Sequence, residues 1–291
     1  METAAPDYID TLTALVQLAD GWLADALDEA ELPHNLEAAA RHAVLVGGKR
    51  LRPILSILCC EAVGGRHEKA CRAATSVELI HAFSLVHDDL PALDNDLLRR
   101  GQPTVHAKFG EAMAILAGDV LMSLAFQIAA SEPDALVREL ATATTAMING
   151  QVLDTLGGFD PASDALARLN QIHSNKTGAL LTAACRMGAA SAGATPDQLA
   201  ALTRYGESIG LMFQIVDDLL DVTQSTAHLG KATGKDIDAG KLTFPGVLGV
   251  DASREHVRQQ HQIAVDSLVG LDPAASAKLR VLAGYMAVRT R

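Results

Sequence analysis

Aromatic residues are scarce in this chain, with three tyrosines, six phenylalanines and one tryptophan among 291 residues. A core must therefore be packed from alanine, leucine and the other aliphatics, and a sheet built on aromatic and β-branched cross-strand pairs is disfavoured. No stretch alternates apolar and polar residues over six positions, so the pattern of a half-buried strand is missing as well. Basic residues are in deficit: 24 lysines and arginines stand against 35 acidic residues, a net charge of −11. That balance argues against nucleic-acid binding through a basic face and against attachment to anionic lipid. The four cysteines, Cys59, Cys60, Cys71 and Cys185, fit no zinc spacing, and the adjacent pair sits inside the apolar run ILSILCCEAV. They are expected to be reduced core thiols of a cytoplasmic protein. The opening METAAPDYID has no basic stretch and no long apolar run, so neither a signal peptide nor a transmembrane segment is expected.

What the chain has in abundance is helix-forming apolar sequence. Hydrophobic residues make up 49%, and apolar positions recur at spacings of three and four through long segments. These are 8–31, 36–46, 53–63, 68–89, 111–130, 133–156, 164–173, 178–192, 196–223, 254–269 and 273–288. Pro33, Pro133, Pro196 and Pro273 fall at or near segment starts, where proline is tolerated. Gly64, Gly157 and Gly193 fall at ends. No linker or low-complexity tract divides the chain. The pattern predicts an all-α protein of ten or more helices in a single domain spanning 1–291.

Two acidic clusters interrupt this pattern. HDDLPALDNDLLRRGQP, from His87 to Pro103, holds Asp88, Asp89, Asp94 and Asp96 within nine residues. FQIVDDLLDV holds Asp217, Asp218 and Asp221 with no breaker between them. On a continuous helix Asp217 and Asp221 share a face, and Asp218 is turned away by about 100°. Stacked carboxylates destabilise a bare helix by about 0.2–0.5 kcal/mol; a divalent cation between them reverses the sign. In the first cluster Pro91 biases Leu90 away from helical geometry. That break is what could return Asp94 to the side of Asp88. Hard oxygen donors without cysteine suit Mg²⁺ or Mn²⁺, and Mg²⁺ commonly shares its shell between one or two carboxylates and substrate phosphates. Two such clusters predict a metal clamp on a phosphate-bearing ligand. His87 is expected to pack rather than ligate.

Local cations supply the partners for such an anion in spite of the net charge. GGKRLRP presents Lys49, Arg50 and Arg52; Arg99 and Arg100 follow the first acidic cluster; Lys176 and Thr177 precede Gly178; and Lys231, Lys235 and Lys241 follow the second cluster. Each alone reads as a solvated surface feature, and KTG lacks the spacing of a P-loop. Together, flanking two acidic clusters in a helical chain, they suit diphosphate.

These motifs, in this order, make the chain resemble the trans-isoprenyl diphosphate synthases, most closely the bacterial farnesyl diphosphate synthases. The match runs through GGKRLRP, HAFSLVHDDLPALDNDLLRRGQPTVHAKFGEAMAILAGDVL, NKTGALL, FQIVDDLLDV and LGK…GKLTFP. The resemblance implies a helical bundle around a central cavity, a homodimer, and head-to-tail condensation of isopentenyl diphosphate with dimethylallyl or geranyl diphosphate. It implies about three Mg²⁺ ions, replaceable by Mn²⁺, held by Asp88, Asp94 and Asp217, with Asp89, Asp218 and Asp221 beside them. Arg99, Lys176, Thr177, Gln214, Lys231 and Lys241 would meet the allylic diphosphate; Lys49, Arg52, His81 and Arg100 would grip isopentenyl diphosphate. Gln151 and Asp154 would support them. Asn95 stands where many relatives carry aspartate. Phe83, five positions before the first cluster and followed by Ser84, would limit the product to fifteen carbons, with geranylgeranyl diphosphate as the alternative product. A non-catalytic partner subunit would lack one acidic cluster, and a terpene cyclase would not need GGKRLRP with Arg99 and Arg100 for a second diphosphate.

Overall fold

The computed structural model describes residues 6–131, 135–227 and 242–288. The chain forms two compact units. The first comprises residues up to Ala141 together with Met187–Ala194, and the second Thr142–Arg186 with the chain from Thr195 onward.

In the first unit the helices are α1 (Pro6–Asp28), α2 (His34–Leu45), α3 (Leu51–Ala62), α4 (Cys71–Asp88), α5 (Val105–Phe109) and α6 (Glu111–Ala130). The helical segments expected from apolar spacing are present, but Pro53 is the third residue of α3 rather than its first. Helix α4 is apolar all round, as a central helix must be; Val77, Leu79, Ile80 and Val86 are buried with little or no exposure. It packs against α3 and α6. The approach of α6 depends on Gly118, where an added Cβ would lie 2.0 Å from His87 Nε2. His87 donates from that nitrogen to the Ile115 carbonyl at 3.1 Å, so it packs as expected. By length and composition α6 is apolar enough to cross a bilayer. Its Ala114, Ala117, Leu121, Ala125 and Ala129 are buried on the side that meets α4 and α2, which is how a core helix is used. All four cysteines are free. Burial pushes the Cys60 thiol up to about 11, so it stays protonated and unreactive.

One departure from the all-α expectation is a two-stranded antiparallel hairpin, β1 (Leu98–Arg99) with β2 (Gln102–Pro103). Both turn residues, Arg100 (φ 53°) and Gly101 (φ 75°), have positive φ, which gives the twist a two-residue hairpin loop needs.

In the second unit, following the part of α7 (Ala135–Leu156) that belongs to it, come α8 (Ala165–His173), a π-helical turn at Ser174–Gly178, α9 (Ala179–Ser191), α10 (Pro196–Ala227), α11 (Phe244–Leu248), α12 (Val250–Ser267) and α13 (Ala277–Val288). Helices α7 and α9 each contribute residues to both units. Helix α10 is the long central element, and α12 is its main neighbour. Buried Tyr205 donates its hydroxyl to the Leu279 carbonyl at 2.8 Å. Arg280 donates to the Val265 and Leu268 carbonyls at 3.2 and 2.9 Å, satisfying acceptors that the end of α12 leaves open.

Candidate active site

The first acidic cluster begins where α4 stops. Pro91 follows at once, and the chain folds back: the Asp94 amide donates to the Asp88 carbonyl at 2.8 Å and the Asn95 amide to the Leu90 carbonyl at 3.1 Å. The return of Asp94 to Asp88, anticipated from Pro91, is thus made by the backbone. Asn95 adopts φ 52°, a left-handed conformation that asparagine tolerates better than most residues. The departure from aspartate at this position therefore sits where the turn can use it. Asp88 is half-buried and Asp94 exposed.

Asp89 faces elsewhere. It is buried, and both its oxygens accept from Arg99: Nε reaches them at 2.9 and 2.9 Å, and Nη2 reaches Oδ1 at 2.6 Å. This bidentate pair ties the end of α4 to the hairpin, and the bond to Asp89 holds the Arg99 guanidinium even more firmly protonated. The hairpin is fixed from its other side by His42 of α2. Its Nε2 donates to the Pro103 carbonyl at 2.7 Å, while Nδ1 accepts from Lys108 at 3.2 Å. An open recess lies here, lined by His42, Ala82, Asp89, Arg99, Arg100 and Val105 among others.

The GGKRLRP segment connects α2 to α3. Gly47 (φ 78°) and Gly48 (φ 140°) take conformations open to glycine. Arg100 bonds the Gly47 carbonyl, and a Cβ on Gly48 would lie 2.5 Å from Arg100 Nη1, so the second glycine leaves room for the guanidinium. Arg52 has no hydrogen-bond partner at Nε among the described residues. Burial, opposed by Glu78 and reinforced by Arg100, lowers its pKa to about 10. His81 lies well below its usual value because of burial first, and then Arg52, Arg100, Arg99 and Arg50. Lys49 is exposed. Arg52, His81 and Arg100 are thus electrostatically coupled, as a pocket for one anion requires. Phe83 is 6% exposed, and its ring meets that of His87 edge-on at 5.7 Å. Ser84 donates to the His81 carbonyl at 2.9 Å.

In the second unit the π-helical turn carries Lys176 and Thr177. Such turns place extra backbone into a helix and are frequent at functional sites. Gly150 of α7 makes room for it, since a Cβ there would lie 2.2 Å from the Lys176 amide nitrogen. Lys176 is paired with Asp154 at 2.6 Å, and Thr177 donates to Gln214 Oε1. Gln151, one position from Gly150, donates to Thr155 at 3.3 Å, while its buried Oε1 has no partner among the described residues. On α10, Asp217 is half-buried and Asp221 exposed. Asp218 is buried and accepts from the Phe244 amide at 2.9 Å; His173 Nε2 lies 3.5 Å from the same oxygen, and its ring stacks on Phe244. Asp218 thereby anchors the start of α11. Lys231, Lys235 and Lys241 lie outside the described residues.

Among the described residues no three histidine, cysteine, aspartate or glutamate side chains converge as a ready metal cage. The carboxylates still fit Mg²⁺, which takes one or two from the protein and completes its shell with water and phosphate. Asp88 and Asp94 are brought together by the backbone bond between them, whereas Asp89 is fully used by Arg99. Two residues that the sequence did not mark also emerge, Glu78 and His173, and Arg50, read from the sequence as one of the cations of GGKRLRP, turns its side chain inward.

The polyprenyl synthetase family profile matches residues 33–279. The chain is 46% identical over 269 residues to geranylgeranyl pyrophosphate synthase 11, chloroplastic, of Arabidopsis thaliana, covering 88% of this chain and 75% of that protein. Its fold is similar to the geranylgeranyl pyrophosphate synthetase of Pyrococcus horikoshii, with a TM-score of 0.86 and 30% identity over 97% of this chain and 99% of the other. It is also similar to a farnesyl/geranylfarnesyl diphosphate (FPP/GFPP) synthase of Zymomonas mobilis, with a TM-score of 0.83 and 33% identity over 97% and 99%. With the helical fold, the paired acidic motifs and the arginine pocket in place, this match over most of its length makes the chain a member of the polyprenyl synthetase family, a trans-prenyltransferase with the all-α isoprenyl synthase fold.

Proposed function

We propose that this prenyltransferase condenses isopentenyl diphosphate with allylic diphosphates and releases geranylgeranyl diphosphate. The observation that carries the product is the 46% identity to a plant protein named for it. Farnesyl diphosphate, expected from Phe83, becomes the second reading. The bulky ring at that position favours it, but in the structure the ring is buried against His87, on the side of α4 where His87 bonds α6.

Arg52, His81 and Arg100 receive isopentenyl diphosphate, with Lys49 at the rim. Lys176, Thr177 and Gln214 of the second unit would serve the allylic diphosphate, and Arg99 of the first unit is likewise a diphosphate ligand in this reading. Asp88 and Asp94 in the first unit and Asp217 in the second are the carboxylates that would hold Mg²⁺. Bound there, the metal supplies positive charge for a departing diphosphate. The cationic side chains stabilise the same charge as the allylic C–O bond breaks. The alkene of isopentenyl diphosphate then forms the new C–C bond, and the resulting cation loses a proton to the released diphosphate. Water must be kept from the cation. A homodimer belongs to this reading. Ile148, Val152 and Leu156, spaced by four along α7, are exposed apolar residues of the kind that mark contact surfaces; light scattering that returns a monomer overturns it.

The test of the function is incubation of labelled isopentenyl diphosphate with dimethylallyl, geranyl or farnesyl diphosphate and Mg²⁺, sizing the products after dephosphorylation. Twenty-carbon product is expected. Termination at fifteen carbons restores the farnesyl reading, and no condensation overturns both.

A further inference from the structure

Of the three cations in GGKRLRP, Arg50 is the most fully buried. It is 4% exposed, and its three guanidinium nitrogens are each bonded to a different helix. Nε donates to Asp20 Oδ1 of α1 at 2.6 Å, Nη1 to Glu78 Oε1 of α4 at 3.0 Å, and Nη2 to the Val44 carbonyl of α2 at 2.7 Å. Its backbone is left-handed, φ 48° and ψ 35°, at the N-cap of α3. A side-chain-bearing residue adopts that conformation only when its surroundings hold it there. Here the side chain is the hold.

We infer that Arg50, clamped by Asp20 and Glu78, is a positioning residue that sets the turn from which Lys49 and Arg52 reach isopentenyl diphosphate. The inference rests on the isopentenyl site of the proposed function. The turn matters because its neighbours on both sides carry that site: Gly47 and Gly48 receive Arg100, and Arg52 opens the first turn of α3 two residues later.

Glu78 links the clamp to the pocket. It is 3% exposed. One oxygen serves Arg50, and the other has no hydrogen-bond partner among the described residues. The same is true of Arg52 Nε, and the Glu78 charge is what offsets burial at Arg52 and at Arg100. On α4, Glu78 precedes His81 by three residues, which places both on one face. A buried carboxylate beside three cations thus faces the structural arginine, Arg50, and the substrate arginines, Arg52 and Arg100, together.

A charge role and a positioning role separate experimentally. Lysine in place of Arg50 keeps the charge but cannot span three acceptors with one rigid fork. Glutamine in place of Glu78 keeps the shape but removes the charge; by charge alone it would tighten anion binding. Steady-state kinetics of Arg50→Lys and Glu78→Gln, with Arg52→Ala as reference, should show the KM for isopentenyl diphosphate rising about tenfold in both variants, with the allylic KM within about twofold and kcat within about threefold. Far-UV circular dichroism should be unchanged. Unchanged KM values, equal losses for both substrates, or a lower isopentenyl KM in Glu78→Gln overturns the inference, as does loss of helix content in both variants. If only one variant unfolds, the other decides. If Arg52→Ala raises the isopentenyl KM while the two variants do not, only the positioning role fails. If Arg52→Ala itself leaves that KM unmoved, the isopentenyl site is misassigned and both readings fall.

Discussion

Neighbouring aspartates in one motif do different work. Asp88 is half-buried at the end of α4 beside the returning Asp94, whereas Asp89 is buried and gives both oxygens to Arg99. Substituting Asp88 or Asp217 by alanine should lower turnover by about 10²-fold or more, because each removes a metal carboxylate worth several kcal/mol in the transition state. Helical content should not change. Asp89→Ala should lower stability as well. A fully buried ion pair costs about 3–5 kcal/mol to break; with Arg99 33% exposed, about 2–3 kcal/mol is expected in chemical denaturation. Equal melting temperatures for Asp88→Ala and Asp89→Ala would refute this division. His81 makes a second residue-scale prediction. Its pKa is held well below 6.5 in the fold, so the unfolded chain binds the extra proton first as pH falls. Stability therefore declines as pH drops through about 6.5 and below. His81→Gln should flatten the melting temperature against pH between about pH 7 and 5. An unaltered slope would show that other groups set it.

At the scale of elements, glycines decide how closely segments approach. Gly150 faces the backbone of the π-helical turn, which cannot move aside as the tip of a side chain could. Gly150→Ala should cost about 1–3 kcal/mol through overpacking and reduce activity by displacing Lys176. Gly21, exposed in the middle of α1, meets nothing within 4 Å. Gly21→Ala should raise stability by about 0.4–1 kcal/mol, through helix propensity and a less flexible unfolded chain. Opposite signs for these two substitutions in the same denaturation experiment are the expected outcome. Asp218, with its acceptor bond from the Phe244 amide, joins α10 to α11. Among the described residues, therefore, not every carboxylate of FQIVDDLLDV faces a ligand.

Across the whole molecule each compact unit carries its own acidic cluster and its own cations, with Asp88, Asp94 and the arginines in the first and Asp217 and Lys176 in the second. Chelation with EDTA should abolish condensation, and Mg²⁺ or Mn²⁺ should restore it; activity persisting in EDTA would remove the metal from the proposal. Product length also belongs to this scale, since it depends on how much volume the fold leaves for the growing chain. If Phe83 caps that volume, Phe83→Ala lengthens the product by one or more isoprene units. An unchanged product distribution would assign the limit to another residue.

The helices were legible because their apolar periodicity reports which face is buried, and that signal is local. The α4 break at Pro91 and the return of Asp94 were legible for the same reason: proline acts on its immediate neighbour. The hairpin at 98–103 was not. Its strands are two residues each, too short for any period, and it exists because Arg99 pairs with Asp89 and His42 bonds Pro103. The π-helical turn was equally hidden, since it needs Gly150 from another helix. The charged motifs marked the site by composition, yet which charge faces a substrate and which faces the core depended on distant partners. Arg50 and Arg52 are two residues apart in one motif. Only the tertiary structure sends the first to Asp20 and Glu78 and leaves the second, among the described residues, with a buried nitrogen that makes no hydrogen bond, because the carboxylates that satisfy a buried cation come from helices distant in the sequence.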